Sequence, residues 1–360
     1  MQTTISDSQL TQPRRGTEAV LPQTPGGGIR PMIGSCISKE ECRSNCAQQL
    51  TSSSRMINPL PFYNQWAGHP LLDLATVHAS IQASRLETPI VYLAGDSSLD
   101  NKAWVASSGP GGEPVPVPVP HVYDLFLVPP KPKPDIAFWL NHFLDSRATA
   151  VNTAVEASLL RHRDDRLLPH DYFIRDHIRA QDILIVSVGA NDIALSPTLA
   201  TMRHMFQLAW LTPLRSIERG TASSLTYFKH MFGAQTKSYI SRIIEKQTPS
   251  AVIVCMIYYP LESSAGAQPS WADAQLKALG YDRYPGQLQA AIRKMYEQAT
   301  AIIEIDGTIV VPCPLFEVMD GRSKEDYTAR VEPSVQGGKK MGEKLAGLVD
   351  QVMAVPQFKK

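Results

Sequence analysis

The chain has almost no net charge: 35 basic residues against 34 acidic ones leave +1 over 360 residues. No basic stripe interleaved with aromatics stands out, so nothing supports nucleic-acid binding. No apolar run approaches the roughly 18 residues that a membrane-spanning helix needs. Residues 250–260 (Ser-Ala-Val-Ile-Val-Cys-Met-Ile-Tyr-Tyr-Pro) are too short to span and fit a central strand. The five cysteines include no Cys-x-x-Cys pair, which removes the usual zinc knuckle. Cys36, Cys42 and Cys46 read as exposed and inert, and Cys255 and Cys313 as small core residues in or beside strands; this usage suits a reducing compartment. The Gly-x-x-x-x-Gly-Lys-Ser/Thr and Gly-x-Gly-x-x-Gly phosphate loops are missing, as is the Gly-x-Ser-x-Gly elbow. The first residues carry Asp7 and Glu18 and lack a basic segment followed by an apolar core, so neither a secretory leader nor a mitochondrial presequence is expected. These absences together describe a cytoplasmic protein without a transmembrane segment and without an implied metal or organic cofactor.

What is present is enough apolar content (43%) for a large core. Residues 1–55 are rich in Thr, Ser, Gln, Gly and Pro and are expected to be a disordered tail, with one domain over 56–360. Leu71, Leu74, Val77 and Ile81 have helical spacing. Residues 107–134 are so rich in proline and glycine that an extended insertion is expected, with no helix or central strand. Asp135 is placed to cap a helix over 136–144. Strands are expected near 90–95, 148–151, 183–188, 251–257 and 308–311, with helices near 171–179, 235–247, 287–303 and 337–353. That alternation predicts a parallel sheet with helices on both faces. Residues 199–232 mix apolar and basic side chains, which suits either a hydrophobic lid or a surface helix packed on the core.

Two strand ends carry the chemistry. Ile-Val-Tyr-Leu-Ala runs into Gly95-Asp96-Ser97, and Ile-Leu-Ile-Val-Ser-Val runs into Gly189-Ala-Asn191-Asp192. Parallel sheets place their sites just past the carboxyl ends of their strands, so Ser97 is a candidate nucleophile. With these two blocks in order, residues 88–353 resemble the SGNH hydrolases, also called GDSL esterases and lipases. The resemblance implies a flavodoxin-like, three-layer α/β/α fold and ester hydrolysis through an acyl-enzyme on Ser97, on a small-molecule or lipid ester. It also implies oxyanion donors at the Ala157 N–H, where the family has glycine, and at the Asn191 side chain. Asp96 and Asp192 are expected to hold their loops through backbone N–H groups.

The last block of the family ends in Asp-x-x-His-Pro-Ser, and here the matching run is Ala329-Arg-Val-Glu332-Pro-Ser. The nine histidines stop at residue 230, so none can replace the missing one locally. Three readings follow. Glu332 acts as the base, with burial raising its pKa towards a useful range. Alternatively His121 or His170 reaches in from a predicted loop. In the third reading hydrolysis has been lost, and the chain is a binding module that keeps the pocket. Oligomeric state is not legible at this level.

Overall fold

The computed structural model describes residues 55–106, 117–262 and 269–355. The expected tail with Cys36, Cys42 and Cys46, apart from residue 55, and residues 107–116 of the proline-rich run lie outside this range.

Five parallel strands form the central sheet: β1 Ile90–Gly95, β2 Thr149–Asn152, β3 Ile183–Ser187, β4 Ala251–Met256 and β5 Ile309–Pro314, in the order β2-β1-β3-β4-β5. β1 to β4 are buried along their whole length, which is why they read as continuous apolar runs rather than alternating ones. Strand alternation divides their side chains between two cores. Tyr92, Leu184 and Val252 face the helices Leu71–Ser84, Pro169–His177, Thr236–Ile243 and Pro285–Gln298. Val91, Ile183 and Ile253 face Ile136–Leu144 and Val335–Met353. The result is the expected three-layer α/β/α sandwich, with a flavodoxin-like strand order. Cys255 and Cys313 are free, buried and opposite one another on β4 and β5.

Local chemistry sets the ends of these elements. Asp135 accepts the Phe138 N–H at 2.8 Å and starts its helix as expected. Ser334 accepts the Gly337 N–H at 3.1 Å and starts the last helix. One expectation is corrected. The described part of the proline-rich run contains a 3-10 turn over His121–Leu125, because that stretch has no proline and Pro120 can precede it as a cap. After Ser97 the chain forms a 3-10 turn of only three residues, Asn101–Ala103, too short for a helix macrodipole to act on Ser97. Among the described residues no helix is long and apolar enough to cross a membrane.

Candidate active site

A 2-1-3-4-5 sheet reverses direction between β1 and β3, and the crevice at that switch point is where ligands bind in open α/β sheets. β1 delivers Ser97 there and β3 delivers Asn191. The two strands are locked in register down to Gly95 opposite Ser187. Gly95 has φ +148°, and a Cβ on it would sit 1.9 Å from the Ser187 carbonyl oxygen, so only glycine allows this approach. Asp96 then turns the chain. Its Oδ1 accepts from the Ser98 N–H (3.1 Å) and the Ser98 hydroxyl (2.7 Å). Asp192 likewise accepts the Leu160 and Arg161 N–H groups at 2.6 and 3.2 Å, tying the β3 end to the loop after β2. Both aspartates hold loops, as expected from sequence.

That loop carries Ala157, at φ +58°, in the left-handed region where glycine is most comfortable; an alanine there costs about 1–2 kcal/mol. The loop is fixed on both sides. Val155 N–H and Ser158 Oγ donate to the Gly95 carbonyl at 3.0 and 3.1 Å, and Asn191 Nδ2 donates to the Ser158 carbonyl at 3.1 Å. Among the described residues no acceptor takes the Ser97 or the Ala157 N–H. Ser97, Asn191 and Glu332 line one pocket; Ala157 stands behind it in the neighbouring loop.

Glu332 lies on a short antiparallel hairpin, β6 Tyr327–Ala329 and β7 Glu332–Pro333, and is 1% exposed. The hairpin is pinned to the segment after β4. Tyr258 Oη donates to the Val331 carbonyl at 2.6 Å, and the buried Arg330 guanidinium donates to the Leu261 and Glu262 carbonyls and pairs with Asp282 at 2.7 Å. Glu332 Oε1 accepts from Trp271 Nε1 at 3.0 Å, and Oε2 has no hydrogen-bond partner among the described residues. The Ser97 hydroxyl favours the ionised carboxylate to a small degree. Burial outweighs that help and the Trp271 bond, and with the Asp96 charge it pushes Glu332 up to about 8.

A second carboxyl, not anticipated from sequence, stands close by. Glu156 is buried, its Oε1 accepts from Trp104 Nε1 at 3.4 Å, and its Oε2 has no partner among the described residues. Burial first, then the charges of Glu332 and Asp100, push it up to about 9. Trp271 and Arg330 were also missed. Trp271 belongs to no motif and only the packed hairpin brings Glu332 to it, while Arg330, in the turn of the hairpin, acts through partners distant in sequence.

These raised values have a consequence for stability. A carboxyl whose folded pKa lies above its unfolded one contributes stability that is full below about pH 4.5 and is lost as pH rises towards about 9. The melting temperature is thus expected to fall between pH 6 and pH 9, and Glu156→Gln should flatten that fall and raise stability at pH 9 by on the order of 1–3 kcal/mol. Scanning calorimetry across pH checks this, and a variant with an unchanged pH slope would remove Glu156 as its source.

The two histidines considered as bases stand elsewhere. His121 is almost fully exposed, pairs with Asp124, and lies with Arg85 and Thr88 at the opposite, amino end of β1. His170 has its Nε2 at 2.8 Å from the His69 carbonyl and does not line the Ser97 pocket.

The rest of the pocket is apolar. Ile257, Ala272, Leu276, Leu288, Ile292 and Met295 are among the residues that enclose, with Ser97, about 830 Å³ of open space including the mouth. The helix Leu199–Phe206 covers it with Met205 while Leu199, Met202 and Phe206 face outward, so this segment packs on one side and is exposed on the other.

No protein-family model and no curated protein match the chain. Solved structures similar to it include a carbohydrate acetylesterase from Sinorhizobium meliloti, at 10% identity over 74% of this chain and 100% of that one, with a TM-score of 0.40. An aryl esterase from M. smegmatis is 11% identical over 74% and 100%, TM-score 0.38. A lipase/acylhydrolase from Enterococcus faecalis is 12% identical over 73% and 96%, TM-score 0.37. At these scores the likeness is distant, and what the site can do follows from its own residues. Those residues offer a buried serine hydroxyl, a carboxyl with one oxygen free beside it, and two backbone N–H groups without acceptors near a side-chain amide.

Proposed function

We propose that the chain is a serine esterase in which Glu332 replaces histidine as the base. The observation that carries this reading is that Ser97 and Glu332, the latter with Oε2 free of partners among the described residues, line one apolar pocket. In the reaction, Ser97 Oγ attacks the ester carbonyl carbon and its proton passes to Glu332. The carbonyl oxygen becomes an oxyanion, and the donors that suit it are the N–H groups of Ser97 and Ala157 and the Asn191 amide. Collapse breaks the bond to the alcohol oxygen, which takes the proton from Glu332 and leaves. Water then attacks the acyl-serine as Glu332 takes its proton, and collapse breaks the acyl–Oγ bond, Glu332 returning the proton to Ser97 Oγ as the acid departs.

A free carboxylate is a weak base for a serine. A carboxyl raised to about 8 is at least as strong a base as an ordinary histidine, whose pKa is about 6.5. The cost is that only its ionised fraction, about one molecule in ten at pH 7, is competent. Nothing in the chemistry calls for a metal or an organic cofactor, and the substrate is a small-molecule or lipid ester.

The test pairs short-chain p-nitrophenyl esters with a fluorophosphonate that modifies activated serines. Turnover and a phosphonylated peptide containing Ser97 are expected. Absence of both from pH 6 to pH 10 would leave the pocket-bearing binding module as the better account.

A further inference from the structure

The pocket at Ser97 continues into a second chamber. The two share Ile193, Met205, Leu279, Leu288 and Met295 as wall, so they form one channel beneath the helix Leu199–Phe206 and the π-helical turn Gln207–Leu211. The far chamber, about 400 Å³ when space open to solvent is included, adds Leu208, Ala209, Phe228 and Gln287. Among the described residues Glu332 is the only charged one along either wall, and it sits at the Ser97 end. The polar exceptions farther along are Gln275, whose buried Oε1 lacks a partner among the described residues, and Gln287, whose amide is taken up by the roof.

Roof and floor are fastened together. Gln287 Nε2, on the floor helix, donates to the Leu208 and Thr212 carbonyls at 2.9 and 2.8 Å, and Trp210 Nε1 donates to the Ala278 carbonyl at 2.9 Å. The channel is therefore preformed, and its methionines can adjust to what enters. Its long, uncharged shape matches a flexible hydrocarbon chain rather than a sugar or a charged head group, because those would lose their hydration without gaining partners.

We infer that this channel holds a linear hydrocarbon chain of medium length attached to the scissile ester, so that the substrates are medium-chain lipid esters. This rests on Ser97 being the nucleophile. The chain could belong to the acid or to the alcohol, and the apolar walls recognise either one. Each methylene moved from water into such walls favours binding by up to about fourfold, and ordering the chain takes part of that back.

The experiment has three arms. In the first, kcat/KM is measured for p-nitrophenyl acetate, butyrate, octanoate and dodecanoate; at least a tenfold rise from acetate to octanoate is expected. Methyl octanoate and octyl acetate, followed by pH-stat, then show which side of the ester carries the chain. In the second, Ala209→Trp fills the far chamber and is expected to lower the octanoate-to-acetate ratio at least tenfold, its fold being checked by its melting temperature. In the third, the Ser97→Ala protein is titrated with dansyl-undecanoate and the probe displaced with decanoate, which reads chain binding without turnover and without the Trp variant. Normal acetate turnover with no preference for a longer chain on either side of the ester would overturn the channel's role and leave the esterase reading standing. Loss of all turnover and labelling would instead remove the esterase reading, and displacement by decanoate would then decide the channel alone.

Discussion

Ser97→Ala and Glu332→Gln are each expected to lower kcat/KM for a p-nitrophenyl ester by on the order of 10²–10⁴-fold or more, and the double variant should be little worse than either single one. In the proposed reaction the two residues act as a unit. Without a base the hydroxyl stays protonated through the attack, and without the hydroxyl the base has nothing to deprotonate. Glutamine keeps the shape of Glu332 and can still accept from Trp271, so the change isolates proton transfer from packing. The pH profile gives the sharper reading. Because the competent form of Glu332 is the ionised one, log kcat/KM of the wild type should climb with pH and level off above about 8. The residual activity of Glu332→Gln should show no such climb. A variant within twofold of wild type, with the same profile, would remove Glu332 from the mechanism.

Gly95→Ala should be among the most damaging single changes in the chain. The new Cβ would stand 1.9 Å from the Ser187 carbonyl oxygen, at a φ of +148° that side chains rarely adopt. Backbone cannot swing aside as a side-chain tip can, so β1 must move away from β3 where the two strands deliver Ser97 and Asn191. An overpacked contact together with an unfavourable φ gives about 3–5 kcal/mol of destabilisation, a large part of the stability of an ordinary domain. Urea unfolding of the purified variant, or its failure to accumulate as folded protein, checks this. A midpoint equivalent to less than about 1 kcal/mol of loss would show that the strands separate more easily than their register implies.

The difference between these residues and their neighbours lies in how far their partners are along the chain. β1 and β3 were legible because buried parallel strands are continuous apolar runs, and Gly95-Asp-Ser97 and Gly189-x-Asn191-Asp192 were legible because each sits at the end of such a run. The loop roles of Asp96 and Asp192 followed from short, local hydrogen bonds of the kind that aspartate makes in any turn. The 3-10 turn His121–Leu125 was hidden by the prolines around it. Glu156 gave no signal, because nothing in Val-Glu-Ala says that its side chain will be shut away from water near a second carboxyl. Trp271 was silent for the same reason, since it meets the hairpin from a separate part of the chain, and so was the anchoring role of Arg330, whose partners Leu261, Glu262 and Asp282 lie far from it in sequence.

By itself, then, the sequence determined the α/β architecture, the two strand ends that meet at the switch point, and the absence of a histidine where one would be expected. Those are properties of periodicity, local turn chemistry and residue identity, which act over a few positions. Only the tertiary structure decided that Glu332 stands beside Ser97 with one oxygen free, that His121 and His170 do not, and that an apolar channel leads away from the serine. Burial and charge proximity are set by residues distant in sequence, and they are what push an ordinary glutamate carboxyl up to about 8.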